Sequence, residues 1–79
     1  MIRVLFFGPV AEQVNDRVMK IEFQAGLSLQ DVVTQLKMFY PKAFELVCFT
    51  AVNEVQTRDM QLVLADNDEV AFMSKFSGG

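Results

Sequence analysis

Histidine is missing from this 79-residue chain, and cysteine occurs once, at Cys48. The first absence removes imidazole as general base, proton shuttle or metal ligand. The second excludes an intramolecular disulfide framework and leaves no cysteine cluster for zinc. Basic residues are few: seven Lys and Arg against ten Asp and Glu give a net charge of −3 and a pI near 4.7. Nucleic acid, whose phosphates call for a basic stripe, is therefore not an expected partner. No apolar run approaches the roughly 20 residues that cross a bilayer. The run Val4-Leu5-Phe6-Phe7 is too short for the core of a signal peptide and stops at Gly8-Pro9. These absences predict a cytoplasmic domain with no membrane attachment and no bound metal or cofactor.

What is present suffices for one core. Hydrophobic residues make up 52% of the chain, eight of them Phe. With no repeat, linker or low-complexity stretch, a single domain is expected over 1–79, with 74–79 a flexible C-terminal tail. Residues 2–7 are β-branched and aromatic and read as a central strand, with Ile2, Val4 and Phe6 on one face and Arg3, Leu5 and Phe7 on the other. Pro9 suits the first turn of a short helix through Val10, Ala11 and Val14. Residues 17–23 alternate as a half-buried strand, with Arg17, Met19, Ile21 and Phe23 facing one way and Val18, Lys20 and Glu22 the other. Ser28 is a natural N-cap for the main helix, and Asp31 gives a weaker version of the capping box; the apolar stripe is Leu29, Val32, Val33, Leu36 and Tyr40. Pro41 bounds it.

A short helical turn is expected around Phe44, a strand over 47–52, a weak hairpin near Val55, and a last strand over 69–76. The order strand, strand, helix, strand, short strand, strand predicts an α+β fold of the β-grasp, ubiquitin-like type. It has a mixed sheet with one main helix on one face, and the first and last strands are paired at its centre.

The chain stops on Phe76-Ser77-Gly78-Gly79. A lead of two residues without side chains passes through a narrow channel and reaches backbone angles closed to others. Its terminal carboxylate, once activated, accepts a sulfur or amine nucleophile. The alternative is an inert end. Cys48, between Val47 and Phe49, reads as strand packing rather than as a reactive thiol. Asp66, Asp68 and Glu69 read as turn chemistry, their spacing matching no calcium loop. Leu5, Phe7, Ala71 and Met73 fall on the sheet face away from the helix. Either that face binds a partner protein or segment 53–66 folds over it.

Three stretches carry a family likeness: Met-Ile-Arg-Val-Leu-Phe-Phe-Gly at the start, Thr-Ala-Val-Asn-Glu at 50–54, and Asp-Asn-Asp-Glu-Val-Ala-Phe leading to the final Ser-Gly-Gly. Together they resemble the small subunits of molybdopterin synthase, the MoaD type among the MoaD/ThiS sulfur carriers. The resemblance implies that Gly79 is adenylated at the expense of ATP by an E1-like activating enzyme and then becomes a thiocarboxylate, its sulfur coming from a separate sulfur donor. It implies that the tail, with Phe76, Ser77 and Gly78, inserts into a large catalytic subunit and delivers sulfur to cyclic pyranopterin monophosphate within a heterotetramer. In that pattern Phe7 and Met73 match the apolar partner-binding surface. The chain departs from the family in having Ser74-Lys75 where a proline pair is common. Without those prolines the tail loses a stiffening element, and Lys75 brings a charge that the partner must accommodate. A carrier for thiamin thiazole synthesis, a ubiquitin-like modifier and a plain interaction domain are the rival readings.

Overall fold

Prolines and left-handed turn residues punctuate the chain where the sequence pattern changes. The computed structural model describes residues 1–75. Its elements are β1 (Ile2–Phe6), α1 (Gly8–Val14), β2 (Val18–Ile21), α2 (Leu29–Phe39), α3 (Pro41–Glu45), β3 (Phe49–Val52), β4 (Val55–Gln56) and β5 (Glu69–Met73). Pro9 and Pro41 both sit in the first turn of a helix, where a missing N–H costs nothing.

The strands form one sheet in the order β2-β1-β5-β3-β4. The pair β1–β5 is parallel and central, with Val4 opposite Val70 and Phe6 opposite Phe72. The flanking pairs are antiparallel. Ile2, Val4, Phe6, Val70 and Phe72 turn one sheet face towards Val10, Leu29, Val32 and Leu36, all buried. Phe72 anchors this core: its ring stacks on Phe6 at 6.1 Å and meets the edge of Phe44 at 4.9 Å. This is the β-grasp arrangement.

The capping box at Ser28 is complete: Ser28 Oγ accepts from Asp31 N–H at 3.1 Å, and Asp31 Oδ2 accepts from Ser28 N–H at 2.9 Å. Two further donors of the first turn are met from far along the chain. Leu29 N–H donates to Leu62 O and Gln30 N–H to Met60 O, each at 2.9 Å. Leu64 N–H donates back to Leu27 O at 2.8 Å. Segment 60–64 thus runs along the start of α2 and contributes Met60, Leu62 and Leu64 to the core side. It does not cover the other sheet face.

Three element boundaries differ from the expected ones. The second strand is Val18–Ile21 rather than 17–23; at its start Asp16 Oδ1 accepts from Arg17 N–H at 2.9 Å, which keeps that N–H in the turn. The third begins at Phe49 rather than at residue 47, since Leu46 N–H donates to Ala43 O and the chain is still leaving α3. The last strand ends at Met73, with Ser74 following it and Lys75 in an exposed turn. Of the expected tail 74–79, Ser74 is itself buried, at 5% exposure.

Candidate functional site: the open sheet face beside the end of the last strand

The sheet register sorts the uncovered face into rows. At the start of β5, Lys20, Arg3 and Glu69 stand side by side, with Arg3 and Glu69 ion-paired. The next row is Val18, Leu5, Ala71 and Ala51, apolar until it reaches Gln56 on the edge strand β4. The row after it pairs Met73 with Phe49, and Phe7 follows directly on β1. Polarity therefore falls along β5 in the direction the chain runs, and the apolar end adjoins the point where the strand stops.

Phe7 is 42% exposed, Val18 48% and Phe49 38%, while Leu5, Ala71 and Met73 are half-buried. Each exposed apolar side chain alone is ordinary. A contiguous set on one sheet face is a surface that another protein can cover. Phe7 is held in place by its backbone: its N–H donates to Phe72 O at 3.2 Å, and its carbonyl accepts from Ala11 N–H at the start of α1. Val18 and Phe49 belong to the face without having been singled out from the sequence. The alternation of residues 17–23 set Val18 opposite Met19 and Ile21, whereas Phe49 needed the true start of β3.

The other end of β5 is fixed by a polar network. Asn53 and Glu54 join β3 to β4 with φ of 49° and 70°, the signature of a tight hairpin turn. Asn53 Nδ2 donates to Asp68 Oδ1 and Asn53 Oδ1 accepts from Glu69 N–H, both at 2.9 Å. Asp68 Oδ2 accepts from Ala65 N–H at 2.8 Å. Asp66 takes the N-terminal ammonium at 2.6 Å, and this contact lowers its pKa. The acidic residues 66, 68 and 69 are thus each engaged in turn, hairpin or sheet contacts.

Cys48 corrects the sequence reading. It is exposed rather than packed in the sheet, because it precedes β3 and only its backbone N–H joins the sheet, donating to Met73 O at 2.8 Å. Its side chain borders a groove between α2 and the β3–β4 edge. Phe76, Ser77, Gly78 and Gly79 lie outside the described residues. Among the described residues no helix is long and apolar enough to cross a membrane.

Comparison with known proteins agrees with this architecture. The molybdopterin synthase sulfur carrier subunit of Mycobacterium tuberculosis (strain ATCC 25618 / H37Rv) is 33% identical over 81 residues, covering 99% of this chain and 96% of the relative. The crystal structure of SAMP1 from Haloferax volcanii superposes with a TM-score of 0.81 at 18% identity, covering 99% and 98% of the two chains. A chain of the protein–protein complex of subunits 1 and 2 of molybdopterin-converting factor from Helicobacter pylori 26695 superposes with a TM-score of 0.74. Its identity is 23%, and coverage is 99% and 97%. The two structural likenesses speak for the fold. The sequence itself matches the ThiS family model over residues 4–79, and the chain belongs to that family.

Proposed function

We propose that this chain is the sulfur-carrier subunit of a molybdopterin synthase. The observation that carries the reading is the end-to-end similarity to a molybdopterin synthase sulfur carrier subunit. The geometry supports it: the central strand β5 stops at Met73, six residues before Gly79, beside an apolar face suited to a protein partner. The partners in this reading are a large catalytic subunit, an E1-like adenylating enzyme and a sulfur donor, meeting in the cytoplasm.

The chain supplies a carbonyl and its presentation, and its partners supply the catalysis. A carboxylate oxygen of Gly79 attacks the α-phosphorus of ATP and displaces pyrophosphate, giving an acyl-adenylate. Hydrosulfide released by the sulfur donor then attacks the carbonyl and expels AMP, and loss of the S–H proton leaves a thiocarboxylate. Gly78 and Gly79 have no side chains to block passage of the backbone through a narrow channel. Phe76 and Ser77 complete the inserted tail, and Phe7 with Met73 anchors the docked domain. The large subunit then receives the sulfur for cyclic pyranopterin monophosphate, in a heterotetramer of two small and two large subunits.

Intact mass of the chain, recovered from cells holding the activating enzyme, tests this reading. A gain equal to sulfur replacing oxygen at Gly79, lost on deleting Gly79 together with molybdopterin formation, is expected. Conjugate ladders on other proteins would instead identify a modifier, and molybdopterin formation by the truncated chain would refute the mechanism.

A further inference from the structure

The groove between α2 and the β3–β4 edge carries charge opposite in sign to the whole molecule. Its charged lining residues are Lys37 on α2 and Arg58 just after β4, both exposed, and among the described residues no acidic one lines it. Neither cation has a carboxylate within 4.0 Å among the described residues, whose ion pairs are Met1–Asp66 and Arg3–Glu69. Asp59, next to Arg58, is turned to its own loop, where Oδ1 accepts from Gln61 N–H at 3.0 Å. The same groove is also lined by half-buried Phe44, Val47 and Met60.

We propose that this groove docks an acidic segment of a partner protein, with carboxylates at Lys37 and Arg58 and an apolar side chain over Phe44 and Met60. Two cations are too few to track a nucleic-acid backbone, and the net charge of −3 opposes one. They do suit a short peptide, because rim charges select a partner of opposite sign while an apolar floor anchors it. Phe49 belongs both to the groove lining and to the open sheet face. A partner seated on that face can therefore continue around β3 into the groove. The inference goes beyond the sulfur-carrier reading and stands without it.

Cys48 is exposed in this groove and is the chain's only cysteine, so its alkylation reports occupancy. The probe is the acetylated, amidated peptide Asp-Glu-Phe-Asp-Leu-Glu, with Lys-Lys-Phe-Lys-Leu-Lys as its basic counterpart, and iodoacetamide is the neutral reagent. The acidic peptide is expected to slow alkylation of the full chain at concentrations of about 1 mM or below, and the basic one to leave it unchanged. Amide shifts in the unmodified chain are expected at Lys37, Cys48, Thr57 and Arg58. The double variant Lys37→Glu, Arg58→Glu should weaken acidic-peptide binding about tenfold, two surface charge contacts being removed. Equal protection by both peptides, or no protection, overturns the proposal. So does protection by oligothymidylate instead of the peptide, or faster alkylation in a chain lacking residues 76–79, which would give the groove to the chain's own end.

Discussion

Asn53 holds a left-handed backbone conformation and at the same time bonds the start of β5 through both ends of its amide. Few residues do both, since the left-handed region is strained for a residue with a Cβ unless it is Asn, Asp or Gly. Asn53→Ala should cost about 2 kcal/mol, combining the strain with the lost hydrogen bonds. Asn53→Gly should cost less, because it relieves the strain and loses only the bonds. Urea denaturation measures both, and equal losses would show that the turn conformation contributes nothing. Asp66 makes a pH-dependent contribution. Its hydrogen bond to the N-terminal ammonium lowers its pKa below 3.8 in the folded chain, the ammonium charge and the Asn67 N–H adding to that effect and partial desolvation opposing it. A carboxylate with a depressed folded pKa favours folding above its unfolded value and loses that contribution as pH falls through the folded one. Stability of the unaltered chain should therefore fall more steeply below pH 3.8 than that of Asp66→Asn. The difference is small because the pair is exposed. Parallel acid limbs in thermal melts at stepped pH would remove Asp66 from this role.

At the scale of elements, α2 shows how local and distant contributions divide. The spacing of Ser28 and Asp31 makes its capping box legible in the sequence, and the box forms. Ser28→Ala should cost about 1 kcal/mol and Ser28→Asp nearly nothing, as read by denaturant midpoints. An unchanged midpoint for the alanine variant would mean that the bonds to Met60 and Leu62 hold the helix start alone. Those bonds were not legible, because no local pattern tells a helix terminus which remote carbonyl will meet it. The same limit applies to Cys48: an apolar neighbourhood in sequence looks like a strand interior, while exposure depends on where the sheet pairing starts. The paired central strands were legible for the opposite reason. Runs apolar on both faces suit the middle of a sheet, and β1 and β5 take it between β2 and β3, although helices cover only the face of Val4, Phe6, Val70 and Phe72.

The whole molecule separates a covered face from an open one. Helices and segment 60–64 share the first, so Phe7, Val18, Met73 and Phe49 remain on the second. Under the sulfur-carrier reading, Phe7→Asp should weaken binding to the large subunit about tenfold or more, as loss of an apolar anchor does. The fold should survive, since Phe7 is 42% exposed and its sheet bond runs through the backbone. Isothermal titration with the large subunit measures the affinity, and an unaltered value would remove Phe7 from the interface.

The sequence by itself determined the fold class, the two faces of the first and last strands, the main helix with its cap, and the Gly-Gly end on which the proposed chemistry rests. These follow from periodicity, turn chemistry and the backbone freedom of glycine, all of which act within a few residues. The tertiary structure decided that segment 60–64 joins the covered face, that Cys48 and Phe49 are exposed, and that Lys37 and Arg58 border one groove. Those outcomes depend on hydrogen bonds and packing between residues far apart in the chain, and such pairings exist only once the sheet has closed around its core.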